Sequence, residues 1–308
     1  MTRPNPLDDA DFDTLRKRWL SRYIAVQNRS DKELKDVLIQ AAEDAFNLSL
    51  TLASKETFSA SAKSAQLRIL TKELTKILKE VFDEELTIIK DGQSRAAIAA
   101  VDAFAETDRR FLSAVFSEAA SGTGSSVKAF IAGQKQSASF GVANAISRIN
   151  KTDRPLSARV YDSRRLANRW VQNTASRLIL RNASAKEIAT EVRKAIKPNV
   201  PGGPAYAAMR LARTEINNAF HATSISLAED RPWVEGMIWH LSKTHEDTDT
   251  QIKEICERYA GTNFAIATVP AKPHPQCRCF VTPALESYET FLNHLTAGQY
   301  RDWIKDAA

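Results

Sequence analysis

Cysteine is scarce, with three residues among 308. That is an odd number and too few for a disulfide framework, so free thiols or metal ligands are expected in place of bridges. Glycine (10 residues) and proline (11 residues) are also sparse. With 43% apolar residues, that scarcity excludes a disordered chain and a turn-rich β-sandwich. No apolar run approaches the ~18 residues of a membrane span. The opening MTRPNPLDDADF carries acids where a signal peptide would have its apolar stretch. A soluble protein made in a cytosol is expected, and 34.2 kDa is enough chain for two modest domains with a buried core.

Charge is present but unevenly placed. The formal net charge is +6, yet residues 151–200 hold 12 Lys or Arg against 4 Asp or Glu. The basic excess therefore belongs to one segment. It suits phosphate or an acidic protein surface, and equally a solvated helix face.

Helical periodicity dominates the first three quarters. Ser30 with Glu33 reads as a capping box, and Leu34, Val37, Leu38, Ala41, Ala45 and Phe46 follow on one face. Leu67, Leu70, Leu74, Ile77, Leu78, Val81 and Phe82 repeat the pattern. Further helices are expected over 95–104 and around Phe111 to Phe116, up to the breaker SGTGSS at 121–126. Long apolar stripes with no β core nearby need a covering surface, which makes residues 1–125 the expected portion for docking on a partner or on other copies. Residues 126–157 read as two shorter helices and the polar link INKTDRPLS, a domain boundary. A helix from Asp162 to Leu180 carries Trp170. A second capping box, Ser184 with Glu187, opens the next helix, which closes at the loop KPNVPGGP.

The helix after that loop, PAYAAMRLARTEINNAFHATSISLAED, bears an unusual stripe. Arg210, Thr214, Asn217 and His221 recur at steps of three or four and so share a face. Asn and His among Ala, Met, Leu and Phe suggest a partly buried hydrogen-bonded patch that holds a neighbouring loop. Arg213 and Glu215 flank Thr214; two residues apart on a helix they cannot meet, so each needs a different partner.

From Pro232 onward the character changes. VEGMIWHLS (234–242) and CFVTPAL (279–285) are rich in strand formers. Between and within them lie His245, Cys256, His274, Cys277 and Cys279. A structural zinc takes four Cys or His ligands, so five candidates compete for four places. The spacing matches no common zinc-finger signature, and Pro273 and Pro275 suit a plain stiff turn as well as a preorganised ligand loop. Buried reduced thiols beside a hydrogen-bonded histidine are the competing interpretation.

These residues also resemble a family. LARTEINNAFH, the Trp239 strand running into HLSKTHEDTD, Cys256, the run Tyr259-Ala260-Gly261 and the ending KPHPQCRCFVTP are together similar to the phage head morphogenesis domain of the Mu F-like minor head proteins of tailed bacteriophages. The likeness covers about 156–283. The ordered pair of an RTE helix and a HPxCxC turn is its specific part. It implies a virion protein bound to the portal inside the capsid and present in few copies, with other capsid or scaffold proteins as possible neighbours. Such a protein acts in head assembly, DNA packaging or ejection and passes through the host cytoplasm during assembly. The domain would occupy 158–308, its Cys/His-rich end 234–285. Some relatives carry a further C-terminal effector domain, for which the residues after the motif leave no room.

The expected fold is therefore mainly α, with a small α+β C-terminal part, and the expected role is structural, not enzymatic. Two other classes compete with it. A metal-dependent nuclease would use His245, Asp247, Asp249 and His274 around a hydrolytic ion, while a cysteine nucleophile at Cys277 lacks a visible orienting residue beyond His274. A DNA-binding module would use the basic 151–200 segment non-specifically, although no helix-turn-helix or RNA-binding signature accompanies it.

Overall fold

The computed structural model describes residues 9–53, 60–117, 146–147, 154–198, 203–242 and 250–302. The chain is mostly helical, with a small three-stranded antiparallel sheet near its C-terminus. In order, the elements are α1 (Asp9–Ala53), α2 (Ala60–Ser117), α3 (Leu156–Leu180), α4 (Ala185–Ile196), α5 (Pro204–Glu229), β1 (Val234–His240), α6 (Thr250–Tyr259), β2 (Asn263–Phe264), β3 (Phe280–Leu285) and α7 (Tyr288–Thr296). No helix among the described residues is long and apolar enough to cross a membrane.

Several sequence expectations change at this level. Ser30 does not cap a helix; it is buried in the middle of the 45-residue α1, and Glu33 pairs instead with Arg29 at 2.9 Å. The preceding turns are helical because Leu15, Trp19 and Tyr23, four residues apart, bury a face of their own. The three helices expected between 67 and 116 are one helix of 58 residues; the glycine at 92 costs about 1 kcal/mol, too little to break a helix packed on both sides of it. The helix expected from Asp162 begins at Leu156, directly after Pro155, whose ring cannot continue a helix backwards. The Ser184 cap forms as expected, its hydroxyl accepting from the Glu187 amide. The breaker at 121–126 and the stretch from 126 to 145 lie outside the described residues.

The chain forms two compact units, each built from separated segments: 1–27, 92–150 and 216–308 in one, 28–91 and 151–215 in the other. The sequence suggested a linear division at 125 and 157. The units alternate along the sequence because α1, α2 and α5 each contribute residues to both, and a helix that long carries enough apolar surface for two cores.

In the second unit the stripe residues Leu34, Leu38, Leu74, Leu78 and Phe82 pack with Val160, Val171, Ile188, Val192 and Met209. The stripe residues between Leu34 and Phe82 are thus covered within this unit. The same unit holds both flanking charges of the RTE triplet. Arg213 Nε donates to both carboxylate oxygens of Asp31, at 2.8 and 2.9 Å, and Glu215 pairs with Arg159. Glu215 is 1% exposed, and burial raises its pKa in spite of the Arg159 guanidinium beside it. Glu215→Ala strands that guanidinium and should cost about 2–3 kcal/mol, whereas Arg213→Ala breaks a partly solvated pair and should cost about 1 kcal/mol. Urea unfolding of the two variants checks the order; equal losses would contradict it.

The first unit is aromatic. Trp19 packs on Phe104 with ring centroids 4.9 Å apart, and Tyr23 on Phe220 at 4.7 Å. Buried Asp108 accepts from Arg231 at 2.7 Å and from the Trp233 indole at 3.3 Å, tying α2 to the approach to β1. The sheet order is β2-β1-β3, with Trp239 opposite Val281 and Met237 opposite both Phe264 and Pro283. Proline fits there because β3 is an edge strand. Gly236 is required in β1, since a Cβ would come within 2.7 Å of the Phe264 carbonyl oxygen. This sheet, backed by the second half of α5, carries the site.

Candidate metal centre

Three elements bring the cysteines together. Cys256 lies in the last turns of α6, while Cys277 and Cys279 lead into β3, and all three are buried and reduced. The 274–277 segment is a tight turn in which the Cys277 amide donates to the His274 carbonyl at 3.3 Å. Pro275 holds the second turn position and Gln276 the third, with φ +61°, the arrangement of a type II turn. A side chain at positive φ costs about 1 kcal/mol or more; here the turn places His274 and Cys277 beside each other.

The donor atoms of Cys256, His274 and Cys277 all lie within 4.8 Å of one another, and this group could hold a metal ion. Cys256 Sγ is 3.4 Å from His274 Nε2 and 3.8 Å from Cys277 Sγ. His274 Nδ1 is 3.0 Å from the Pro275 carbonyl oxygen. That oxygen only accepts, so the proton sits on Nδ1 and the Nε2 lone pair faces the thiols, as a metal ligand requires. The Cys279 thiol joins the same hydrogen-bonded set. Its bonds with Cys256 and Cys277, the Ser242 amide and the nearby Lys272 ammonium hold its pKa far below the usual thiol range, against its burial. In turn the Cys256 thiol is pushed up by its bonds to the other two.

Surrounding groups orient this turn. Asn217 Nδ2 donates to the Cys277 carbonyl at 2.9 Å, and Tyr23 Oη donates to the same oxygen at 3.4 Å. Gln27 in turn donates to the Asn217 side-chain oxygen. Lys272 donates to the Cys279 carbonyl and lies over the rings of Tyr23 and Trp239, at 5.6 and 5.7 Å from their centroids. Burial lowers its pKa, and the neighbouring thiols oppose that shift. His221 Nε2 lies 2.9 Å from the Pro270 carbonyl oxygen, and its ring stacks edge-on against Trp239. Burial pulls its pKa down to about 3, so it is neutral and fixes the loop that enters the turn.

The expected polar stripe therefore divides by position. Asn217 and His221 are buried and hold the loop that carries His274 and Cys277. Thr214 bonds back to the Arg210 carbonyl of its own helix at 2.8 Å, and Arg210 is exposed. Of the five metal candidates, Cys256, His274 and Cys277 come together in one group, and Cys279 is buried two residues further on without joining that set of mutually close donor atoms. His245, with Asp247 and Asp249, lies outside the described residues. The sequence reading passed over Lys272, Tyr23 and Gln27. Only Lys272 had a local signal, a lone cation entering a thiol-rich turn; the other two lie some 250 residues away in the chain.

Comparison of the chain with protein-family models, with curated proteins and with solved structures returned no match.

Proposed function

We propose that the chain is a minor head protein of a tailed phage or prophage. In this reading it binds the portal, with capsid or scaffold proteins as further neighbours, and acts in head assembly, DNA packaging or ejection through contacts and not through catalysis. One observation carries the reading. The RTE helix and the HPxCxC turn, whose ordered combination makes the resemblance, are bonded to each other by Asn217 and Cys277 across 60 residues of sequence. Two motifs that hold each other are parts of one module, which supports reading them together and not as separate coincidences.

The same reading assigns one structural zinc to Cys256, His274, Cys277 and Cys279. A tetrahedral zinc with ordinary Zn–S and Zn–N bonds has S–S edges of about 3.8 Å and S–N edges of about 3.5 Å. The two separations from Cys256 Sγ, 3.8 and 3.4 Å, are close to those edges. Three thiolates and one imidazole complete the coordination and leave no position for a reactive water, which suits a staple between α6 and β3. Such a centre bears a net negative charge, and the Lys272 ammonium is placed to offset it.

The test is co-expression with the portal protein of the phage or prophage whose genome encodes this chain. A co-purifying complex is expected, together with this chain in purified particles. Failure of both would overturn the virion role. Magnesium- or manganese-dependent DNA cleavage that disappears in His245→Ala would replace it with a nuclease.

A further inference from the structure

The outer face of α3 is not an ordinary solvated surface. Its inner stripe, including Val160, Ala167, Val171 and Leu178, is buried. On the opposite side Leu166 is 54% exposed, Trp170 40% and Leu180 82%. Single exposed apolar residues need no explanation. These three fall on one line, at positions 166, 170, 173, 177 and 180, where steps of four and three alternate as in a helix–helix seam. Asn173 and Arg177 fill the two middle positions. The line spans about 21 Å of helix.

Charge says what kind of partner fits. Arg169, Arg177 and Arg181 are exposed, and none forms an ion pair among the described residues. From Ser163 to Lys186 there is no Asp or Glu. A second copy of this chain would set arginines against arginines, which costs association energy. A phosphate backbone would use the arginines but leave the leucine line in water, and phosphate contacts need no apolar seam. An acidic helix with apolar residues at the same alternating spacing satisfies both features together.

We propose that the outer face of α3 docks an acidic amphipathic helix of a partner protein. Leu166, Trp170 and Leu180 enter its apolar seam, and Arg169 and Arg181, on either side of that line, meet its flanking carboxylates. The proposal does not rest on the virion reading, and it makes the basic 151–200 segment a protein-binding surface. The experiment uses the full chain and a labelled peptide of about three heptads, with leucine at the seam positions and glutamate beside them, followed by fluorescence anisotropy. Counterpart peptides carry lysine for glutamate or serine for leucine, and duplex DNA is the fourth probe. The glutamate–leucine peptide should bind. Leu166→Ser with Leu180→Ser, and separately Arg169→Glu with Arg181→Glu, should each weaken it at least about tenfold. Because these side chains are exposed, circular dichroism should show both variants folded. No binding of the glutamate–leucine peptide, equal binding of its serine counterpart, or binding of DNA alone overturns the proposal.

Discussion

Replacing Cys256 and Cys277 together by serine is expected to abolish metal binding and to loosen the C-terminal sheet. Tag-free wild-type protein should contain about one zinc per chain, and the double variant none. The energetic effect should be the largest of any pair of substitutions in this chain. Structural zinc sites contribute about 10–16 kcal/mol to the folding of small peptides. Here an aromatic core supports the same region, so a loss on the order of 5 kcal/mol is expected. The reason is placement: Cys256 and Cys277 come from α6 and from the turn before β3, so a bound ion would tie together elements that are otherwise joined there by weak thiol contacts. Chelator should lower the melting temperature of wild type and leave the double variant unchanged. Single replacements then identify the fourth ligand: Cys279→Ser should weaken retention as strongly as His274→Ala if Cys279 ligates, and scarcely at all if His245 does. A metal-free preparation that is fully folded and indifferent to chelator would mean a proline-braced turn with buried thiols.

Stability should also fall as pH rises from the acid range toward pH 8, and Glu85→Gln should remove that fall. Glu85 lies in α2, 0% exposed, in the unit formed by 28–91 and 151–215. Neither carboxylate oxygen has a hydrogen-bond partner among the described residues. Burial alone pushes its pKa from 4.5 to about 8. A group whose folded pKa is raised favours the folded state fully below the unfolded value and loses that contribution as pH rises through the folded one. The window therefore opens near pH 4.5 and closes near pH 8. A shift of this size corresponds to on the order of 5 kcal/mol between its two ends. Urea unfolding of wild type and Glu85→Gln should give similar stabilities at the acid end and a growing advantage for glutamine toward pH 8. A difference that does not change with pH would show that Glu85 is ionised or solvated in the folded protein.

Glu85 also marks how far sequence reasoning reaches. It continues the line of Leu74, Leu78, Val81 and Phe82 by one more helical step, so its burial was legible in the spacing; that it has no partner was not. The helical character of the chain, the Ser184 cap, both longer strands and the thiol-rich turn could all be read locally, because periodicity, capping and turn chemistry act over a few residues. The resemblance to a phage head family likewise came from short motifs in order. Helix ends were harder to read. Ser30 and Glu33 have the residues of a capping box, and only the burial of Leu15, Trp19 and Tyr23 upstream carries α1 through them.

What the sequence by itself determined is the inventory: few cysteines confined to one region, long amphipathic helices, a short strand-rich end and a helix bearing Asn217 and His221. Only the tertiary structure decided how that inventory is used. It joined Cys256 to His274 and Cys277, gave Asn217 the Cys277 carbonyl as partner, and covered the N-terminal stripes from within the chain. The physical reason is range. Backbone preferences and periodicity are set by neighbours in sequence. A ligand set, a buried hydrogen bond or a shared core depends on side chains that the path of the chain brings together, and no local pattern specifies that path.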